Sequence, residues 1–257
     1  MVYVLWFLTV VFSVTWGLCL LLRGPAATGG LTMMFAWLLP TVWSPTVAAL
    51  LLTWWSERAA GVRRELRRVG YSRGSGPWLV LAVLVPGAVV GGAVFAARAA
   101  GTAAPFTPAA AVPMMVVLQL ATGAVGEELG WRGFLLPRLR STLGTIASWW
   151  VMAILWSLWH VAGIFFPGTP LQVVPPLFFL PTIVFFGVFL AFLFERTGGS
   201  VLPTILAHLS LNVALGLRGA TFASRPFWWT MVSIFGLVAL IVTVAGPKRR
   251  VELSQPV

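Results

Sequence analysis

The stretch LFFLPTIVFFGVFLAFLF, residues 177–194, runs for eighteen residues without a charged side chain. A helix needs about 20 mostly apolar residues to cross a hydrocarbon core of roughly 30 Å, so this stretch predicts a membrane-spanning helix. The whole chain has the same character, since 59% of its 257 residues are hydrophobic and only 9% are charged. Soluble domains carry about 25% charged residues, which excludes that class of protein.

Seven further apolar runs are separated by polar breaks, and together the eight predict an all-α, polytopic integral membrane bundle of about eight transmembrane helices. The runs are, in chain order, residues 2–22, 31–55, 77–97, 109–128, 145–166, 177–194, 201–217 and 227–245. The first run lacks the basic start and short apolar centre of a cleaved signal peptide, which predicts a permanent span.

The basic residues predict how the chain is oriented. With eight spans, thirteen of the seventeen Lys and Arg residues fall in the second, fourth and sixth loops and the C-terminal tail. Because cytoplasmic loops collect basic residues, both termini are predicted to be cytoplasmic. The longest polar stretch, Ser56 to Gly76, is interpreted as a basic cytoplasmic loop that sets this topology. Topology and anionic lipid explain the net charge of +11, so no nucleic-acid partner is predicted.

A few polar side chains fall inside the apolar runs. Glu127 and Glu128 close the fourth run, and His160 lies in the fifth. His208 and Asn212 lie in the seventh run, four residues apart and therefore on one face of a helix. Ionisable groups are costly in hydrocarbon, so these residues are candidates for a functional site.

The positions of the two glutamates on the helix indicate different roles for them. Glu128 and Arg132 are four residues apart and can form an ion pair along one helix, which needs no catalytic role. Glu127 is rotated by about 100° from Glu128 and faces another direction. Because Glu127 and His160 are equally distant from the break at residues 141–144, a helical hairpin would place them at the same level.

Straight helices would not bring the two histidines together. His160 lies about 24 Å from Gly144 along its helix, whereas His208 lies about 12 Å from Ser200. Either the fourth and fifth helices project beyond the membrane surface, or tilt and kinks make up the difference. We expect a polar cavity open toward the cytoplasmic half, with Glu127 and His160 facing away from lipid.

These side chains allow two kinds of hydrolytic site. A carboxylate and one imidazole could activate a water, while a second imidazole and an amide stabilise the oxyanion formed from an acyl group. Alternatively, Glu127, His160 and His208 could bind Zn²⁺ and leave an open position for water. The zincin pattern HExxH is absent from the sequence. The cofactor is therefore either Zn²⁺ or none.

Three short motifs carry the candidate residues in a fixed order. They are EELGWR at residues 127–132, WSLWH at 156–160 and HLSLN at 208–212. They resemble the EExxxR, FxxxH and histidine–asparagine motifs of the CAAX protease and bacteriocin-processing (CPBP) family of intramembrane proteases, which includes the type II CAAX prenyl endopeptidases. One departure is Trp156 where Phe is usual, which we interpret as an exchange between two aromatic packing groups.

The resemblance implies a role for each candidate residue. Glu127 and His160 would activate the attacking water. His208 and Asn212 would stabilise the oxyanion. A metalloprotease site built on Glu127, His160 and His208 stays open as an alternative to a metal-free, glutamate-type mechanism. The residues implied in structural support are Glu128 and Arg132.

The resemblance also implies an organisation and a function for the chain. We expect a catalytic core at residues 109–217, preceded at 1–108 by three helices with the basic loop 56–76, and followed at 218–257 by a last helix and a basic tail. The implied function is an intramembrane endopeptidase, a hydrolase that cleaves a peptide or a membrane-anchored protein substrate near the surface of the lipid bilayer. A composition rich in Arg, Ala and Gly favours a bacterial cell (inner) membrane.

The sequence leaves two other functions open. Glu127 and the histidines could form the relay of a proton-coupled membrane transporter. The chain could also be a non-catalytic membrane scaffold or an immunity-type protein that keeps the fold without turnover. These alternatives predict ion flux or a retained cellular function in place of hydrolysis.

Overall fold

The computed structural model describes residues 1–70, 75–102, 104–218 and 222–246, which form a bundle of apolar helices. The helices are α1 (Val2–Ala26), α2 (Thr28–Arg67), α3 (Gly76–Ala99), α4 (Ala109–Leu143), α5 (Thr145–Phe165), α6 (Pro176–Arg196), α7 (Leu202–Leu217) and α8 (Arg225–Ala245). Within the described ranges, all except α7 are long and apolar enough to cross a membrane, and α7 has 16 residues. The predicted polytopic helical membrane bundle is confirmed.

The first two helices form a hairpin. The chain leaves helical geometry at Gly30, whose φ of 55° lies in the left-handed region that glycine adopts without strain. Beyond this turn, the indole nitrogen of Trp37 in α2 donates a hydrogen bond to the Thr15 carbonyl oxygen of α1 at 3.1 Å. Trp37 also stacks on Phe166 with 4.5 Å between the ring centres. The hairpin is thereby attached to the end of α5.

The stretch predicted as a basic loop is largely helical. Helix α2 continues to Arg67, with a break at Arg58, where φ is 55° and ψ is −156°. This break separates a short helical segment, which ends at Arg67, from the long apolar part of α2. The short segment ends against the turn between α6 and α7, where the Val201 amide donates to the Arg68 carbonyl oxygen at 2.6 Å.

Some of the basic residues used to predict topology lie outside the described residues. These are Arg73 and the tail residues Lys248, Arg249 and Arg250. Arg132, which was counted among the loop residues, is fully buried inside α4, so it cannot contribute to the loop charge. The cytoplasmic placement of both termini stays a prediction.

Helix α4 changes its period around the glutamate pair. Two π-helical stretches, Leu120–Ala124 and Leu129–Leu135, flank a single α-helical turn at Val125–Glu128. Stretches of π-helix are rare and are frequently found at functional sites. The indole nitrogen of Trp43 donates to the Ala121 carbonyl oxygen at 2.8 Å, which satisfies a backbone group of the first π-helical stretch.

Two glycines allow α4 to lie directly against α2. A Cβ atom at Gly126 would lie 2.6 Å from the Val42 carbonyl oxygen, and one at Gly130 would lie 2.4 Å from the Pro45 backbone. Only glycine permits backbones to approach this closely, as is common between membrane helices. This contact fixes the position of the helical turn that carries the glutamates.

The other helices complete the bundle around α4. Helix α6 packs against both α5 and α8, and α7 packs mainly against α3. Polar side chains join some of these helices, as where the Ser210 hydroxyl of α7 donates to the Val83 carbonyl oxygen of α3 at 2.7 Å. This arrangement brings α4, α5 and α7, which carry the three motifs, around one space.

Candidate active site

A cavity of about 410 Å³ lies inside the bundle and is lined by all four candidate catalytic residues. They are Glu127, His160, His208 and Asn212. Glu127 is 4% exposed, so it faces the interior rather than lipid, as expected from the sequence. The structure therefore brings together side chains from three helices that are up to 85 residues apart in the chain.

The cavity extends toward the opposite end of the bundle from the one expected. Its further lining residues include Thr169 after α5, Arg218 after α7 and Phe222 before α8. The sequence-based expectation of a cavity open toward the end with Gly144 and Ser200 is wrong. His160 lies only five residues before the end of α5 at Phe165, so the site is closer to that end of the helix.

Glu127 is held by a residue of the second motif. The indole nitrogen of Trp156 donates a hydrogen bond to the Glu127 Oε2 atom at 2.8 Å. Trp156 lies one helical turn before His160 and is fully buried. Its indole N–H is a donor that Phe lacks, so the interpretation of this position as a packing group alone missed its contact with the carboxylate. The residue type was the signal available in the sequence.

The hydrogen bond of His160 defines its tautomer. The Nδ1 atom lies 2.8 Å from the Trp156 carbonyl oxygen. A carbonyl oxygen only accepts hydrogen bonds, so Nδ1 carries the proton, and Nε2 of the neutral ring is left with the lone pair. Such a ring can accept a proton from a water in the cavity.

Behind the cavity wall lies a buried layer, defined here as Glu128, Arg132 and His208. The Arg132 guanidinium donates to Glu128 Oε1 at 2.7 Å, so the predicted ion pair along the helix is confirmed. The same oxygen lies 2.8 Å from the His208 Nδ1 atom, which must be the donor because a carboxylate accepts. Glu128 and Arg132 have no exposed surface and do not line the cavity, whereas His208 reaches it from this layer.

Arg132 also contacts the cavity side of the site. Its guanidinium carbon lies 4.1 Å from the centre of the Trp156 ring, within the range of a cation–π interaction. The indole of Trp156 therefore contacts both Glu127 and Arg132. It links the catalytic candidate to the buried layer.

Asn212 has a polar partner on α4. Its Nδ2 atom donates to the Gln119 Oε1 atom at 3.0 Å, and both residues line the cavity. An amide group carries two donor hydrogens, so one remains beyond the bond to Gln119. Gln119 gave only a weak signal in the sequence, because a single hydrogen bond between helices would explain it equally well.

The candidate zinc ligands have suitable chemistry but not a suitable arrangement. Within the described parts of the chain, no group of three or more His, Cys, Asp or Glu side chains is placed to hold a metal ion. The hydrogen bonds of these side chains do not prevent metal binding, because both histidines donate from Nδ1 and keep Nε2 for a ligand, and Glu127 keeps one carboxylate oxygen. The misfit lies in their placement, since the three side chains do not form a group that could hold the ion.

Comparisons with known proteins agree with the resemblance of the motifs. Residues 107–214 match the family model described as type II CAAX prenyl endopeptidase Rce1-like. The protein named CAAX prenyl protease 2 from Methanococcus maripaludis is 28% identical over 116 residues, which cover 43% of this chain and 42% of that protein. The chain therefore aligns with less than half of the length of this relative. The predicted resemblance is confirmed over the segment that contains the four candidate catalytic residues.

Proposed function

We propose that the protein is an intramembrane endopeptidase whose catalytic core is residues 109–217. The observation that carries this proposal is that Glu127, His160, His208 and Asn212 line one cavity inside an apolar bundle. The confirmed resemblance to Rce1-like endopeptidases supports the same class of reaction. We propose hydrolysis of a peptide bond near the membrane surface.

In this mechanism, Glu127 and His160 activate the attacking water. The Nε2 lone pair of His160 and the free oxygen of Glu127 share the two hydrogens of a water, and one of the two groups removes a proton as the oxygen attacks the carbonyl carbon. The same proton then passes to the amine that leaves when the C–N bond breaks. The Trp156 N–H holds the Glu127 carboxylate in place during both steps.

His208 and Asn212 stabilise the charge on the carbonyl oxygen. Asn212 offers the amide hydrogen that does not bond Gln119. His208 donates from Nε2 only when its ring carries both protons, and Glu128 at 2.8 Å from Nδ1 compensates the resulting positive charge. Donors that are already oriented in a site of low dielectric constant give the largest contributions to this kind of catalysis.

The substrate in this proposal is a peptide or a membrane-anchored protein, and the bilayer is the other partner. A relative is named CAAX prenyl protease 2, so a CAAX tail with a prenyl group is one candidate substrate. Its apolar chain would suit the apolar part of the cavity wall, which includes Leu38, Ile183 and Leu211. We propose the bacterial inner membrane as the location.

The test is hydrolysis of a membrane-anchored peptide by purified protein in proteoliposomes. We expect Glu127→Gln and His160→Ala to lower kcat by at least about 100-fold, the lower end of what one general base contributes, with little change in thermal unfolding. Glu57→Gln is the matched control, because it makes the same acid-to-amide change in a partly exposed ion pair with Arg64. Cleavage at the wild-type rate by both site variants would refute the proposal.

The same preparation separates the alternative functions. Ion-dependent flux without cleavage would favour the proton-coupled transporter. A Glu127→Gln variant that keeps its cellular function would favour the non-catalytic scaffold or immunity-type protein. Neither outcome is expected if Glu127 removes a proton from water.

A further inference from the structure

The far end of the cavity carries a cation that the proposed mechanism does not use. Arg218 follows the last residue of α7 and lines the same cavity as Glu127 and His160. It is the one Lys or Arg side chain among the described residues that line this cavity. The proposal that follows rests on the proposed peptidase function, because it concerns what this cavity binds.

The guanidinium group of Arg218 is held in a defined position. Its central carbon lies 3.1 Å from the centre of the Phe222 ring, and its NH1 group donates to the Leu215 carbonyl oxygen. The backbone of Phe222 is held as well, because its carbonyl oxygen accepts a hydrogen bond from the indole of Trp228 at 2.7 Å. The Arg218 side chain therefore loses little further freedom when it binds a ligand.

The same group has unused hydrogen-bonding capacity. A guanidinium group carries five donor hydrogens, and among the described residues Arg218 has one acceptor, the Leu215 carbonyl oxygen. Donors on the terminal nitrogens can therefore bond acceptor oxygens of a ligand in the cavity. Phosphate and carboxylate oxygens are the acceptors that match a guanidinium best.

No protein carboxylate within the described ranges neutralises this charge. Glu57, Glu65 and Glu195 form salt bridges with other arginines, and Glu128 pairs with Arg132. Glu127 lines the same cavity but bonds the Trp156 indole and forms no salt bridge with Arg218. Partial burial lowers the pKa of Arg218 to about 10, so the side chain is still positively charged at neutral pH. An unpaired, half-buried cation at the end of a cavity attracts an anionic part of the ligand that occupies it.

We propose that Arg218 is a specificity-determining residue that binds a carboxylate of the peptide substrate. A peptide carboxylate is favoured over a separate anion because one bound peptide can contact both Arg218 and the catalytic candidates in a single cavity. Arg218 follows His208 by ten residues, or about 15 Å along the helix axis. An extended peptide spans this distance with about four residues. The carboxylate is either the C-terminus or an acidic side chain at that separation from the cleaved bond.

The test compares three versions of one peptide that the wild-type enzyme cleaves. The first ends in a free carboxylate, the second ends in an amide, and the third ends in an amide but carries a Glu about four residues after the cleaved bond. We expect kcat/KM for a carboxylate peptide to exceed that for the plain amide by about 10- to 100-fold, which is typical of a hydrogen bond between charged groups. The version that shows this preference identifies the source of the carboxylate.

The substitution Arg218→Gln should bring this ratio to about one, and Arg218→Lys should retain part of it. The matched control is Arg225→Gln, an exposed arginine at the same end of the bundle that does not line the cavity, and it should keep the wild-type ratio. Because each variant is judged by the ratio of its kcat/KM values for two peptides, a smaller amount of folded protein does not change the result. A wild-type ratio near one, or an unchanged ratio in Arg218→Gln, would overturn the proposal, and an equal loss on all peptides would assign Arg218 a structural role instead.

A binding measurement keeps this proposal separate from the peptidase function. The Glu127→Gln variant should bind a fluorescent carboxylate peptide more tightly than its amide, and adding Arg218→Gln should remove the difference in Kd. If the wild-type protein cleaves none of the peptides but shows this difference, the proposed function fails and the carboxylate site stands. If cleavage is observed without any difference in Kd or kcat/KM, the carboxylate site fails and the proposed function stands.

Discussion

Glu127 and Glu128 are adjacent in the chain but face two different regions of the bundle. Glu127 faces the cavity and bonds one indole N–H, whereas Glu128 lies in the buried layer with Arg132 and His208. The cavity face has spare acceptors and donors, which a reaction requires. In the buried layer, Arg132 and His208 both donate to the same oxygen of Glu128, which holds the three side chains together. The rotation of about 100° between adjacent helix positions thus separates the proposed catalytic role of Glu127 from the proposed structural role of Glu128.

Because of this difference, substitutions in the buried layer should mainly lower stability, and substitutions on the cavity face should mainly lower activity. The largest effect on folding is expected in the buried layer. Arg132→Met leaves Glu128 without its main countercharge in a site with no exposed surface, and we expect a loss of about 3–5 kcal/mol in the free energy of unfolding. The measurement is unfolding in detergent followed by tryptophan fluorescence. The double substitution Glu128→Gln with Arg132→Met should recover part of the loss, because both charges are then removed.

The control for this prediction is Arg64→Met, which breaks a partly exposed ion pair with Glu57. Pairs of this kind contribute about 0–1 kcal/mol, so this variant should unfold close to the wild type. If Arg132→Met is no less stable than Arg64→Met, the buried layer does not support the fold, and the contrast between the two glutamates is lost.

A smaller effect is expected where α4 contacts α2, because this contact sets which region each glutamate faces. Gly130→Ala places a methyl group on the Pro45 backbone, where it forces the helices apart and should cost about 1–3 kcal/mol in stability. Activity should fall as well, since Glu127 moves with α4. Gly91→Ala is the matched control, because no atom lies within 4 Å of its added Cβ. Equal stability in both variants would contradict the role of this close contact.

Much of the fold was predictable because the bilayer imposes simple rules. A fixed hydrocarbon thickness sets the length of the apolar runs, so the sequence locates eight helices near the observed ones. The pair formed by Glu128 and Arg132 was also predictable, because a separation of four residues on one helix brings side chains together whatever the rest of the fold does.

The features that were not predictable depend on contacts between distant segments. The π-helical stretches around Glu127 depend on how α4 meets α2, which a single-helix pattern does not contain. The helical state of the predicted loop up to Arg67 depends on its docking beside Val201. The direction of the cavity depends on how α5 packs against the α1–α2 hairpin and α7 against α4, and helix length alone pointed to the opposite end.

The smallest predicted effect concerns Trp156, which joins the two regions through Glu127 and Arg132. Trp156→Phe keeps an aromatic ring but removes the N–H that orients the Glu127 carboxylate, so we expect kcat to fall about tenfold with little change in KM, the lower end for a hydrogen bond to a charged group. The matched control is Trp131→Phe, which makes the same change at a buried indole whose nitrogen has no hydrogen-bond partner among the described residues. That variant should lose some stability but keep its kcat. If both variants lose kcat equally, Trp156 contributes through packing alone. Its hydrogen bond to Glu127 then does not connect the buried layer to the cavity face.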